Sequence, residues 1–129
     1  MAGKEQAVNN GEELKKAVVA IGSSLGLEVE TEKKVGRRVW GAERKIDVIL
    51  RHSATSQVLG IECKFQGTPG SAEEKIPATI ADIAAWPIRG MVVVSGSGFS
   101  ANIRGYLLST GMVVDLEDLA DWLTLYFVL

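Results

Sequence analysis

Two segments near the ends of the chain carry apolar residues at every third or fourth position, which is the spacing of an amphipathic helix. The first spans about 11–25, and Gly26 is suited to end it because glycine tolerates the left-handed conformation. Its expected buried residues are Leu14, Val18, Ile21 and Leu25. The last helix begins after Asp115, its predicted N-cap, and is expected to bury Leu116, Leu119, Ala120, Leu123 and Phe127.

Shorter apolar runs between these helices predict strands. Leu27 to Thr31 alternates apolar and polar residues, and residues 45–52 and 57–65 form two apolar runs that a short polar stretch joins into a hairpin. Residues 90–95 are continuously apolar, as is typical of a strand buried on both faces. A further short strand is predicted at 112–115.

A second helix is expected to open at Ser71 and Glu74, which form a capping-box pattern, and to close at Trp86 and Pro87. Pro77 is awkward inside it, so the helix either starts there or bends. Its expected buried residues are Ile76, Ile80, Ile83 and Ala84. With another helix at about 99–109, the order is α-β-β-β-α-β and then α-β-α. We therefore predict an α/β fold, with early strands linked by hairpins and later strands added in parallel.

Composition places the chain among soluble globular proteins. Its 129 residues suit a single domain over 1–129, of which we expect 1–10 to be loosely ordered, and 47% are apolar and 23% charged. No apolar run reaches the roughly 18–20 residues of a membrane span, and no secretory signal is visible. The single cysteine excludes an internal disulfide and fits a reducing compartment. We expect a cytoplasmic protein of a bacterial, archaeal or phage-infected cell.

Basic residues are concentrated in one segment of an otherwise acidic chain. Residues 33–45 carry six basic side chains and one acidic one, a net +5, so the remainder carries −7 against a total of −2. A basic strip of this kind can follow the phosphates of DNA, although a solvated loop would look the same. The candidate DNA-binding residues are Lys33, Lys34, Arg37, Arg38, Arg44 and Lys45.

Charged residues also interrupt the two apolar runs of the predicted hairpin. Asp47 lies near the start of the first run, and Glu62 and Lys64 lie near the end of the second. Because side chains alternate along a strand, Glu62 and Lys64 should share a face, and the hairpin can bring Asp47 beside them. A cross-strand ion pair worth about 0.2–1 kcal/mol is the plainer interpretation. Charged residues are disfavoured in apolar strands, however, which favours a functional site.

Two carboxylates beside an ammonium group suit a divalent metal ion and a polarised water. Mg²⁺ prefers oxygen ligands, usually one or two carboxylates with several waters, and such an ion assists phosphodiester hydrolysis. Asp47 and Glu62 are the candidate ligands, and the backbone carbonyl of Cys63 is a third. Lys64 could hold the attacking water, and Gln66, on the same face, could contact that water or a phosphate.

The order Asp47, then Glu62-Cys63-Lys64, inside an α-β-β-β-α-β pattern over about 11–95 resembles the PD-(D/E)XK nuclease superfamily. Ile46 stands where the motif has proline. The resemblance implies a restriction-endonuclease-like core with a mixed sheet, Mg²⁺ (or Mn²⁺) on Asp47 and Glu62, and Lys64 as the catalytic lysine. Many members add an acid from the first helix, for which Glu13 is the candidate and Glu12 the next. Both could instead simply stabilise the helix dipole in the first turn.

By this resemblance we expect a small, stand-alone, Mg²⁺-dependent DNA endonuclease that acts as a homodimer. One alternative is a resolvase of four-way (Holliday) junctions, like the archaeal-type enzymes of this fold, although these are usually more basic. A second is a non-catalytic DNA-binding or assembly module, against which the intact Asp, Glu and Lys set argues. A hydrolase of small phosphoesters is a third, and it would need an enclosed pocket.

Overall fold

The computed structural model describes residues 8–37, 43–67, 72–96, 105 and 111–129. In these ranges the chain forms three helices and five strands: α1 (Gly11–Ser24), β1 (Glu28–Arg37), β2 (Glu43–His52), β3 (Gln57–Phe65), α2 (Ala72–Ala84), β4 (Gly90–Ser95), β5 (Val113–Asp115) and α3 (Leu116–Phe127). None of the helices within these ranges has the length and apolar character needed to span a membrane. The predicted loose segment 1–10 and the predicted helix at 99–109 lie mostly outside the described residues.

The strands form one mixed sheet in the order β1-β2-β3-β4-β5. β1 pairs with β2, and β2 with β3, in antiparallel orientation. The turn between β2 and β3 is too short for the crossover that a parallel pair needs. β4 joins β3 in parallel after the α2 crossover, and β5 joins β4 in parallel. The predicted α/β fold, with its αβββαβ core and mixed sheet, is therefore confirmed.

Helices cover both faces of the sheet and create two cores. In the first core α1 and α3 pack on one face, where Leu14, Val18, Leu119 and Phe127 meet strand residues such as Leu59. In the second core Ile83 and Trp86 from the α2 region meet the opposite face, at residues such as Ile46 and Val92. β4 is buried on both sides, which explains why its sequence is continuously apolar.

Pairing with β2 extends β1 well beyond its predicted end at Thr31. Lys33 lies opposite Ile46 and Lys34 lies opposite Lys45, so these two lysines continue the strand instead of lying in a loop. Lysine has a low intrinsic preference for strands, but the partner strand supplies the hydrogen bonds and overrides it.

Three details of the helix predictions are corrected. Ala84 is exposed, because α2 ends there and its buried side is completed by Ile83 and by Trp86 just beyond the helix. Pro77 lies inside α2 rather than at its start. Asp115 occupies the N-cap position of α3 but makes no capping hydrogen bond with its side chain. Ser71 lies outside the described residues.

Two glycines allow the Trp86 ring to lie against the middle of the sheet. Gly60 of β3 pairs with Gly90 of β4, and a Cβ atom on Gly60 would stand 2.8 Å from the Trp86 ring. Any side chain there would collide with the indole. The close contact joins the β3–β4 pair to the chain that follows α2.

Candidate active site

β2 and β3 separate at the level of Asp47 and Glu62. The two strands pair from His52–Gln57 to Val48–Ile61. Beyond that point β2 continues beside β1, with Lys33 opposite Ile46, and β3 continues beside β4, with Glu62 opposite Val92. We call this point of separation the fork. The predicted hairpin therefore does bring the first carboxylate to the second.

Asp47 stands where the alternation of side chains in β2 breaks. Val48 and Leu50 lie in the first core, whereas Ile46 and Ile49 both lie in the second. Ile46 and Ile49 are three positions apart, a spacing that regular alternation would place on opposite faces. At the fork the Asp47 side chain replaces a backbone carbonyl as the hydrogen-bond acceptor. Its Oδ2 accepts the backbone N–H of Cys63 at 2.9 Å. This hydrogen bond fixes one carboxylate oxygen and joins β2 to β3 where their backbones have parted.

Glu62 and Lys64 share a face of β3, as the alternation predicts, and form an ion pair with Lys64 Nζ 3.6 Å from Glu62 Oε2. The other oxygen, Glu62 Oε1, is buried and has no hydrogen-bond partner among the described residues. Burial and the neighbouring Asp47 charge raise the pKa of Glu62 to about 7, against the opposing effect of Lys64. An unsatisfied buried carboxylate oxygen is costly unless a cation or donor completes it.

Cys63 presents its backbone, and not its thiol, to the fork. The side chain packs against the first core, and burial, with Asp47 and Glu62 nearby, raises the pKa of the thiol, which therefore stays protonated. Gly60 and Gln66 donate their N–H groups towards β4, while Cys63 donates to Asp47 on the opposite side. The N–H and C=O of one strand residue point to the same edge, so the Cys63 carbonyl faces the fork.

Gln66 follows directly after β3 and is the one polar side chain in the fully buried class within the described ranges. Its N–H donates to the Ser95 carbonyl at 3.1 Å. Gly96 packs against the Gln66 backbone with φ +106°, and a Cβ atom there would collide with the Gln66 carbonyl oxygen. The residue is thus held firmly near the end of β3, and its catalytic role stays a prediction.

The first helix uses Glu13 to cap its own N-terminus. Glu13 Oε1 accepts the Asn9 N–H at 2.9 Å, and the Glu13 N–H donates to Asn10 Oδ1 at 2.8 Å, which together form a capping arrangement. The described residues contain no group of three or more His, Cys, Asp or Glu side chains arranged for a metal ion. The structure therefore does not bring Glu13 together with Asp47 and Glu62, and its metal role stays a prediction.

Lys15 is a residue of the site's surroundings that sequence reasoning missed. Its Nζ lies 3.2 Å from Glu32 Oε2 and 3.6 Å from Glu12 Oε2, and the side chain is 19% exposed. Burial lowers the pKa of the ammonium group, but Glu32, Glu12 and Asp47 together raise it more, so it stays charged. The sequence carries only a weak signal for this residue. Lys15 comes directly after Leu14, which belongs to the buried helix face, and three positions after Glu12, a spacing that allows an ion pair.

The described residues of the basic segment differ in exposure. Lys33, Lys34 and Lys45 are exposed on β1 and β2, and Lys34 Nζ lies 3.3 Å from Glu43 Oε1. Arg44 instead points towards α2, where its Nε donates to Asp82 Oδ1 at 2.9 Å in a half-buried ion pair. The backbone of Arg37 pairs with Glu43, and Arg38 lies outside the described residues. Contact of these residues with DNA stays a prediction.

The fold is similar to two solved structures. One is the crystal structure of a protein of unknown function, AF1548, with a TM-score of 0.54 and 19% identity over 79% of this chain and 56% of that one. The other is the crystal structure of protein VC1899 from Vibrio cholerae, with a TM-score of 0.52 and 20% identity over 92% of this chain and 34% of that one. The chain thus spans only part of either protein, and at these identities the likeness shows the fold alone.

No curated protein matches the sequence at a significant level. Residues 5–119 match the PD-(D/E)XK nuclease superfamily domain. That range contains the fork with Asp47, Glu62 and Lys64, and it includes all the strands of the sheet. Because the match covers most of its length, this chain belongs to the PD-(D/E)XK nuclease superfamily.

Proposed function

We propose that this protein is a Mg²⁺-dependent endonuclease that hydrolyses phosphodiester bonds of DNA. The observation that carries the proposal is the state of Glu62 at the fork. Its Oε1 is buried and unpartnered among the described residues, and its carboxylate lies close enough to Asp47 for that charge to raise its pKa. A divalent cation would relieve both the repulsion between the carboxylates and the unsatisfied oxygen.

The donor set fits Mg²⁺. Asp47 and Glu62 offer carboxylate oxygens, and the backbone carbonyl of Cys63 faces the same fork, so three hard oxygen ligands are available. Mn²⁺ accepts the same ligands. When bound, such an ion lowers the pKa of a coordinated water and neutralises charge on the phosphate. The Cys63 N–H keeps Asp47 Oδ2 in place, which leaves Oδ1 as the oxygen for the cation.

In this proposal Lys64 acts on the attacking water and on the phosphate. Its ammonium is 3.6 Å from Glu62 Oε2, and the side chain is 30% exposed, so it remains accessible to substrate. It can donate one hydrogen bond to the water, hold it for in-line attack, and offset the negative charge that builds on the phosphate. Glu62 must be ionised to hold the cation, and its ion pair with Lys64 favours the ionised form.

Basic residues beside the fork support DNA as the substrate. Lys33 lies across from Ile46, one position from Asp47, and Lys34 and Lys45 follow on the same strand pair. Exposed lysines in this arrangement can neutralise successive phosphates and guide a charged polymer to the site. One site cuts one strand, so a double-strand cut requires two sites, which a homodimer would supply. Sedimentation in the presence and absence of DNA would test that part of the proposal.

The experiment is a cleavage assay on duplex, single-stranded and four-way-junction DNA with Mg²⁺, Mn²⁺ or EDTA. We expect cutting that requires metal and that falls by roughly 10²–10⁴-fold in Lys64→Ala. DNA binding by that variant, measured by fluorescence anisotropy in Ca²⁺, should stay within about threefold of wild type. Lys16→Ala, which changes an exposed lysine on α1, serves as the matched control and should cut normally.

Each result has a distinct meaning. Cutting that persists in EDTA, or that is equal in Lys64→Ala and wild type, would refute the proposal. DNA bound but never cut would favour a non-catalytic module. Preference for the four-way junction over duplex would identify a resolvase within the same mechanism.

A further inference from the structure

Glu32 is an acidic residue with a strained backbone directly beside the fork. The neighbouring pairs Thr31–Val48 and Lys33–Ile46 place it across β1 and β2 from Asp47. Its φ of 56° lies in the left-handed region, which is unfavourable for a residue with a side chain. Ser56 and Val128 share this conformation, but they lie in a hairpin turn and at a helix C-cap, where it is common. Glu32 lies inside a strand, where the paired positions on either side hold its backbone in place.

Lys15 holds the Glu32 carboxylate in an ion pair. The Lys15 ammonium lies 3.2 Å from Glu32 Oε2 and is itself only 19% exposed, whereas the Glu32 side chain is 50% exposed. The helix that carries Lys15 is anchored by Leu14 and Val18 in the first core, so the lysine cannot easily follow a moving partner. Glu12, 3.6 Å from the same ammonium, adds a second carboxylate that holds it in place.

We propose that Lys15 is a positioning residue that holds the Glu32 carboxylate away from Asp47 and Glu62. The inference rests on the proposed function, since it concerns the same metal site. Glu32 stands across from Asp47, yet the described residues contain no acidic group of three or more arranged for a metal ion. Lys15 thereby limits the site to two carboxylates. A divalent ion then keeps more of its coordination positions for water and a phosphate oxygen than it would with Glu32 as a further ligand.

The test measures Mn²⁺ affinity and stoichiometry at pH 7.5 by calorimetry and by electron paramagnetic resonance of free Mn²⁺. We compare wild type, Lys15→Met, Glu32→Gln, the double variant, and Lys15→Arg, which keeps the charge. Lys16→Met is the matched control, because it removes an exposed lysine from the next position of the same helix. Urea denaturation of each variant confirms that it is folded.

If Lys15 positions Glu32, Lys15→Met binds Mn²⁺ about five- to tenfold more tightly, because Glu32 is released to the site. Glu32→Gln should change affinity less than about twofold while Lys15 is present, but should reverse the gain in the Lys15→Met background. Lys15→Arg should restore wild-type affinity. The expected effects of Lys15→Met and Glu32→Gln on Mn²⁺ affinity are therefore non-additive. If Lys15 acted only through its charge on the metal site, the two effects would add.

Three results would overturn the inference. They are equal Mn²⁺ affinity in wild type and Lys15→Met, additive effects of the two substitutions, and an unfolded Lys15→Arg protein, which would make Lys15 structural. In all three, wild-type Mn²⁺ binding would leave the proposed function standing. Absence of Mn²⁺ binding by folded wild type would overturn the proposed function, and this inference with it.

Discussion

Replacing Glu62 with glutamine should stabilise the metal-free protein even though it destroys the proposed metal site. The Glu62 side chain is 20% exposed, and its Oε1 is buried without a partner among the described residues. Burial and the neighbouring charge of Asp47 disfavour the ionised form and raise the pKa of Glu62 from 4.5 to about 7. Glutamine has nearly the same shape and carries no charge, so it removes that cost.

The sign and size follow from the shift. A carboxyl whose pKa is raised in the folded state favours folding only while it is protonated. The contribution of Glu62 to the free energy of unfolding is therefore fully present below the unfolded pKa of 4.5. It falls as pH rises and is lost above about 7. A shift of this size corresponds to about 3 kcal/mol. The loss of the ion pair with Lys64 offsets part of it, so we expect Glu62→Gln to gain about 2 kcal/mol at pH 8 and little at pH 5.

The assay is urea denaturation in EDTA at pH 5 and pH 8, with the free energy of unfolding taken from the midpoint and slope. Glu30→Gln, an exposed carboxylate on β1, is the matched control and should show no pH-dependent gain. Added Mg²⁺ should reverse the order at pH 8 by stabilising wild type alone. A Glu62→Gln protein that is less stable than wild type at pH 8, or equally stabilised at both pH values, would refute the reasoning.

Two further predictions follow from the same structure. Mn²⁺ affinity, measured by calorimetry, should rise about tenfold per pH unit below the raised Glu62 pKa of about 7 and level off above it. The reason is that Mn²⁺ binding displaces a proton from that carboxyl. An affinity that does not change between pH 5 and pH 8 would contradict this. Gly60→Ala should lower the free energy of unfolding by about 1–3 kcal/mol, because its Cβ would meet the Trp86 ring, whereas Gly11→Ala, which has open space around it, should be neutral or slightly stabilising in the same denaturation assay.

Much of the fold could be predicted because its signals are local. The spacing of Leu14, Val18 and Ile21 defines a helix face whatever it packs against. Alternation along β3 places Glu62 and Lys64 on one side of the sheet before any partner strand is known. The same rule sends the Cys63 thiol to the core. These features depend on backbone geometry over a few residues, and the structure confirms them.

Other features depend on partners that are distant in the sequence. The length of β1 is set by its pairing with β2, which overrides the strand preference of Lys33 and Lys34. The break of alternation at Asp47 arises where β2 leaves β3, and the contact of Lys15 with Glu32 joins a helix to a strand. The residue pattern alone places carboxylates near one another. Only packing decides that Glu62 is the carboxylate with a buried oxygen that has no partner among the described residues, because desolvation depends on everything that surrounds the group.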